Sequence, residues 1–287
     1  MLHDNNQHQL SVISVVEIGG VGKTTLAQCV YNNAELMKGF DLKAWICVSE
    51  DFDVVEITRN VIKEISQDTS CLENFNSPQL ALKGLFTIFV TSRRENVGSI
   101  VQNYCPYFFN GLSDEYCWSV FADNASFPKT SNGSSELEEG IGKCDGLPLA
   151  AETLGRLLCT KHDVKEWNKI LMSNLWGFFV TDSKIIPALF ISYFHLPAYL
   201  KRCFVYCSLY PKGYQFNKDE LILLWMAEDL LRPVKRGETL VEVGRECFDD
   251  LASKLFFKQL QDNERSFVMH DLLHDLAKFL AGDFYCC

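Results

Sequence analysis

The segment that most constrains this chain is residues 11–25, which read S-V-I-S-V-V-E-I-G-G-V-G-K-T-T. A β-branched, mostly apolar run enters a glycine-rich turn, and a helical pattern follows with Leu26, Ala27 and Val30 on one side. Strand, tight glycine turn and helix in that order predict the opening unit of a parallel α/β sheet. Glycines let a backbone wrap a phosphate without side-chain clash, and the start of the helix adds its partial positive charge. Gly19, Gly20 and Gly22 would supply the wrap around Val21, Lys23 the cation, and Thr24, beside Thr25, a hydroxyl for magnesium.

The full pattern G-x-x-x-x-G-K-[ST] would place a glycine at residue 17, where this chain has Glu17. A carboxylate about 5 Å from a phosphate charge, at an effective dielectric near 20, costs about 3 kcal/mol, roughly two powers of ten in affinity. Turned away along the strand, it would cost little.

Further along, Ala44 to Val48 (A-W-I-C-V) predicts a second buried strand, and Ile57, Val61, Ile62 and Ile65 fall at helical spacing. Residues 67–79 form a polar loop. Leu85 to Thr91 predicts another strand and Tyr107 to Phe109 a short one. Helices dominate after Leu112. Pro128 to Ser135 reads as a loop, and Pro148 stands where a new helix would start. In the last hundred residues, Leu221, Leu224 and Trp225 mark one amphipathic helix and Phe267-Val268 a short strand. Leu272, Leu273, Leu276, Ala277 and Leu280 mark a final helix. No internal repeat or heptad pattern is present.

With 287 residues the chain can build two or three compact modules. Its net charge of −10 argues against nucleic acid or an acidic membrane surface as partner. The 12 cysteines include no C-x-x-C pair, so free, mostly buried thiols are expected rather than disulfides or zinc sites. No apolar stretch reaches the roughly 18 residues of a membrane helix, and the first residues lack the pattern of a signal peptide. A cytoplasmic protein is the expectation.

Several segments, taken in order, resemble plant NB-ARC disease-resistance proteins of the coiled-coil class. The phosphate loop is followed by Phe40-Asp41-Leu42-Lys43-Ala44-Trp45-Ile46-Cys47-Val48-Ser49, similar to their first linker motif, and by Thr91-Ser92-Arg93, similar to their sensor motif. Gly146-Leu147-Pro148-Leu149-Ala150 matches G-L-P-L-A. Cys203-Phe204-Val205-Tyr206-Cys207-Ser208-Leu209-Tyr210-Pro211 resembles a late motif, and Met269-His270-Asp271 matches M-H-D.

The resemblance implies a P-loop parallel-sheet domain over 1–111, a helical domain over 112–179 and a winged-helix domain over 180–287, closing over ADP or ATP with Mg. It implies that Arg93 senses the γ-phosphate, that Pro148 packs on the nucleotide, and that His270 reaches the β-phosphate of ADP. Other resistance-receptor chains are the protein partners it suggests. Taken singly, Pro148 would be only a helix start and His270 only a residue at a strand end.

The family's second acidic motif, an apolar strand ending in paired aspartates, is expected between Ile65 and Leu85 and is missing. Leu80-Ala81-Leu82-Lys83-Gly84 runs almost directly into the sensor strand. Without that carboxylate Thr24 is the one obvious protein ligand for magnesium, so ATP hydrolysis is expected to be impaired, at most weak. The lost strand should also leave its neighbours poorly paired. The family's coiled coil and leucine-rich repeats are not in the sequence, which reads as a truncated member.

Two other functions compete. From Val180 onward 13 Lys/Arg stand against 15 Asp/Glu, a net of −2 with no basic recognition helix, which disfavours a winged-helix DNA binder. A nucleotide-free interaction fragment or decoy of a larger receptor is the alternative that Glu17 and the missing aspartates favour.

Overall fold

The computed structural model describes residues 11–17, 19–38, 40, 43–46, 48, 53–67, 87–93, 107–108, 110–126, 140–159, 161, 164–177, 186–260 and 263–282. The chain divides into two compact units, Met1–Asn110 and Gly111–Cys287.

In the first unit β1 (Ser11–Val16) lies between β2 (Thr87–Ser92) and β3 (Tyr107–Phe108), with both pairings parallel. Val12, Ser14 and Val16 on one face of β1 are buried, and on the other Val15 is buried while Ile13 is exposed, so one face is fully covered and the other only toward the carboxyl end. α1 (Lys23–Asn32) follows the glycine turn. Asn33 ends it and begins α2 (Ala34–Met37), its side chain accepting from the N–H groups of Glu35 and Leu36 at 3.0 and 3.1 Å. α3 (Val54–Gln67) matches the helical spacing seen in the sequence.

The strand expected over 44–48 is not formed. Residues 44–46 and 48 are irregular, with Cys47 outside the described residues. The reason is pairing. A strand exists only against a neighbour's backbone groups, and among the described residues both sides of β1 are taken by β2 and β3. The run is tied to α1 by side chains instead: Trp45 meets Tyr31 edge-on at 5.6 Å, and the Lys43 ammonium sits 4.5 Å from the Tyr31 ring centre and donates to the Tyr31 carbonyl. Of the loop expected over 67–79, Gln67 is instead the last residue of α3; residues 68–79, the expected loop at 128–135 and the junction at 80–85 lie outside the described residues.

The second unit opens with α4 (Asp114–Ala125), α5 (Pro148–Cys159) and α6 (Val164–Leu171). α4 and α5 approach closely at Gly155, where a Cβ would lie 2.7 Å from the Phe121 carbonyl oxygen and 2.8 Å from Asn124 Cβ. Phe121 of α4 and Leu154 and Leu158 of α5 are fully buried, as is Leu171 of α6, which packs against Gly140.

α7 (Pro187–Phe194) and α8 (Ala198–Tyr206) lead into the winged helix: β4 (Gln215–Asn217), α9 (Lys218–Ala227), α10 (Leu240–Ser253), β5 (Lys258–Leu260), β6 (Asn263–Val268) and α11 (Asp271–Ala281). Its antiparallel sheet runs β4-β6-β5. Trp225, Phe204, Phe248 and Phe256 fill the core, with Phe248 stacked on Phe257 at 5.1 Å. A capping box starts α10, where Thr239 and Glu242 each accept from the other's backbone N–H.

One face differs from the sequence reading. α9 buries Leu221, Ile222 and Trp225 and leaves Leu224 37% exposed. Residues 221–227 are apolar without interruption, so their spacing does not select which side turns inward.

Candidate phosphate-binding site

The turn after β1 is built on two residues in the left-handed region, Gly20 at φ 80° and Gly22 at φ 100°, where any side chain would be strained. Gly22 caps α1. No side chain caps the helix and no acidic residue lies in its first turn, so its first N–H groups present the positive end of the helix dipole. Val21 is buried and anchors the turn. Gly19 and Gly22 are half-buried, and Thr24 and Thr25 are exposed.

Lys23 is buried, and its Nζ donates to the Glu17 carbonyl oxygen at 2.7 Å. The ammonium is thereby held across the turn that its own helix begins. Glu17 N–H donates to the Ser92 carbonyl at 3.3 Å, extending the β1–β2 ladder by one step.

Because Val16 pairs with Ser92, Arg93 follows β2 at the same end of the sheet at which the glycine turn follows β1. The carboxyl ends of parallel strands are where open α/β sheets bind their ligands. Gly19–Thr25 and Arg93 therefore come from one sheet edge. Pro148 and His270 belong to the second unit, at the starts of α5 and α11.

Pro148 follows a tight contact. Gly146 has φ +71°, its carbonyl accepts from Leu112 N–H at 2.8 Å, and a Cβ there would lie 2.9 Å from the Leu112 oxygen. His270 is the N-cap of α11: its Nδ1 accepts from Leu272 N–H at 3.2 Å, so the proton of the neutral ring sits on Nε2. The imidazole is exposed.

Two features were not foreseen in the sequence. Lys212 pairs with Asp275 at 2.6 Å, and buried His274 meets the Tyr210 carbonyl oxygen at 2.7 Å through Nε2. A histidine set among the leucines of this helix, at the position before Asp275, is the available signal for the second.

Among the described residues no group of three His, Cys, Asp or Glu could hold a metal ion. A magnesium ion fits here only as one carried by nucleotide phosphates, with the exposed Thr24 hydroxyl as a protein ligand. Cys117, Cys144, Cys203, Cys207 and Cys247 are free and buried; burial pushes the Cys144 and Cys203 thiols up to about 12, which keeps them protonated and unreactive. No described helix is long and apolar enough to cross a membrane.

The fold and this edge define a P-loop type of sheet domain joined to a helical part and a winged helix. Comparison with known families agrees. Residues 1–85 match the NB-ARC domain, a nucleotide-binding domain, and residues 209–277 match the disease resistance protein winged helix domain. Among similar proteins are the putative disease resistance RPP13-like protein 1 of Arabidopsis thaliana (36% identical, covering 96% of this chain and 30% of the relative) and disease resistance protein RGA2 of Solanum bulbocastanum (35%, 96% and 32%). Disease resistance protein RPM1 of Arabidopsis thaliana is 26% identical over 94% of the chain. The chain carries NB-ARC and disease-resistance winged-helix domains, and spans about a third of the length of the curated relatives it matches.

Proposed function

We propose that the chain is an ADP/ATP-binding switch in plant defence signalling with impaired ATP hydrolysis. The observation that carries the reading is the turn itself: left-handed glycines at 20 and 22, an uncapped helix start and a buried lysine ammonium held over the turn. The domain matches and the disease-resistance relatives support it. In this reading Gly19–Thr25 hold the phosphates, Thr24 takes the magnesium, and Arg93 meets the γ-phosphate. Pro148 packs on the nucleotide, and the Nε2–H of His270 donates to the β-phosphate of ADP. The sheet, helical and winged-helix domains would run over 1–111, 112–179 and 180–287, in a cytoplasmic protein whose partners are other resistance-receptor chains.

Impaired hydrolysis follows from the missing acidic strand. The alignment to the RPP13-like relative spans 321 positions, while 96% of 287 residues is about 276, so about 45 positions lack a counterpart in this chain. That many unmatched positions are enough for a strand, its aspartates and a connection.

The reading is tested by equilibrium binding of ADP, with and without magnesium, to the chain and to Lys23→Ala. A charge-assisted contact contributes about 1.5–3 kcal/mol, so the variant should bind about tenfold to a hundredfold more weakly. In single-turnover mixing, ATP should remain largely uncleaved; brisk magnesium-dependent hydrolysis refutes the impairment. Glu17 favours a second reading, a nucleotide-free interaction fragment. A folded chain that binds no ADP would make it a nucleotide-free fragment, acting by interaction or not at all.

A further inference from the structure

His270 is seated by more than its own cap. Its carbonyl accepts from the N–H groups of Leu273 and His274 at 2.9 and 3.0 Å, so the first turn of α11 closes directly on it. That turn is fastened at two points to the segment ending the Cys203–Pro211 motif. His274 Nε2 meets the Tyr210 carbonyl at 2.7 Å, and Asp275 pairs with Lys212 at 2.6 Å, both side chains of the pair largely buried. Between the two anchors stands Pro211, whose ring fixes φ. A carbonyl oxygen only accepts, so Nε2 carries the proton and Nδ1 is a lone pair; that Nδ1 is buried without a hydrogen-bond partner. An orphaned buried nitrogen is costly, and a leucine or phenylalanine would fill the same apolar site without it. What the histidine supplies is the donor to Tyr210.

We propose that His274 is a positioning residue for His270: its hydrogen bond to Tyr210, backed by the Lys212–Asp275 pair, fixes the start of α11 and so sets how well His270 meets a diphosphate. This rests on the reading that His270 contacts the β-phosphate. The two fasteners join the late Cys203–Pro211 motif to the M-H-D motif as one mechanical unit. The group faces Lys212 from the preceding segment, and Lys278 and Asp275 from its own helix.

The test uses the full chain and compares affinity for ADP with affinity for AMP, which lacks the β-phosphate. His270→Ala should lower the ADP-to-AMP preference about tenfold. His274→Leu should lower it similarly, with AMP affinity unchanged, and His274→Gln, which keeps a donor at the Nε2 position, should restore it. The double variant His270→Ala/His274→Leu should lose no more than His270→Ala alone, because both act on one contact. Lys212→Met, which leaves the core intact, provides a partial loss of preference if His274→Leu does not fold. A normal preference in both folded His274→Leu and Lys212→Met overturns the proposal while the reading of His270 stands. An unchanged preference in His270→Ala overturns the reading, and the proposal with it.

Discussion

Replacing Glu17 by glutamine should strengthen ADP binding, and the size of the gain follows from where the structure holds residue 17. Its N–H is bonded to Ser92 and its carbonyl accepts from the Lys23 ammonium at 2.7 Å, so its backbone is pinned at the mouth of the turn. The carboxylate is thus confined to within a side chain's reach of any phosphate that Lys23 meets. At 5 Å and an effective dielectric of 20 the repulsion is about 3 kcal/mol; at 8 Å and the dielectric of water it is about 0.5 kcal/mol. These limits correspond to gains of about two hundredfold and about twofold. Glu17 is half-buried, which puts the expectation between them, near tenfold. Isothermal titration of both chains with ADP at about 50 mM and about 500 mM salt checks the magnitude and its origin, because screening shortens from about 14 Å to about 4 Å over that range. The advantage of the variant should shrink at high salt. Equal affinities at low salt, or a gain indifferent to salt, would refute the Coulombic reasoning.

Two further outcomes concern stability. Gly155→Ala drives a methyl to 2.7 Å from the Phe121 carbonyl, so α4 and α5 must separate; urea unfolding should register a loss of about 1–3 kcal/mol, and an unchanged midpoint would contradict the packing described. Burial, with the charges of Lys278 and Lys212, holds the His274 pKa below the ordinary histidine value, against the opposing pull of the Tyr210 carbonyl and Asp275. The unfolded chain therefore binds the extra proton first. The stabilisation is complete above about pH 6.5 and is lost as pH falls below it, so thermal midpoints measured downward from pH 7.5 should fall more steeply for the wild type than for His274→Gln.

Much of this was legible because the relevant signals are local. The apolar run of β1, the glycines at 20 and 22, and the helical period of α1, α3 and α11 each act through their own residues. Arg93 was marked by its motif, and the register of β1 against β2 then put it at the sheet edge that carries the turn. What the sequence did not reveal depends on partners. The A-W-I-C-V run has strand composition but no described strand to pair with, whereas β4 and β5, three residues each, have almost no periodicity and exist through pairing with β6. Leu224 lies on the exposed side of α9, which the sequence cannot distinguish because that segment is apolar all round. The neighbouring leucines dominate the pattern of α11 and mask His274, whose partner lies 64 residues away.

The contact between Trp45 and Tyr31 has an experimental use. The chain has five tryptophans, and Trp45 is the only one within Met1–Asn110. It rests against a residue of α1, the helix that begins at Lys23. With fluorinated tryptophan incorporated, one of five ¹⁹F resonances would belong to the sheet unit, a probe one helix length from the phosphate turn that needs no engineered label. Ring-current shielding by Tyr31 should displace that line from its position in the unfolded chain. Titrating ADP while following it would turn a side-chain tether, formed where a strand was expected, into a site-resolved gauge of the turn.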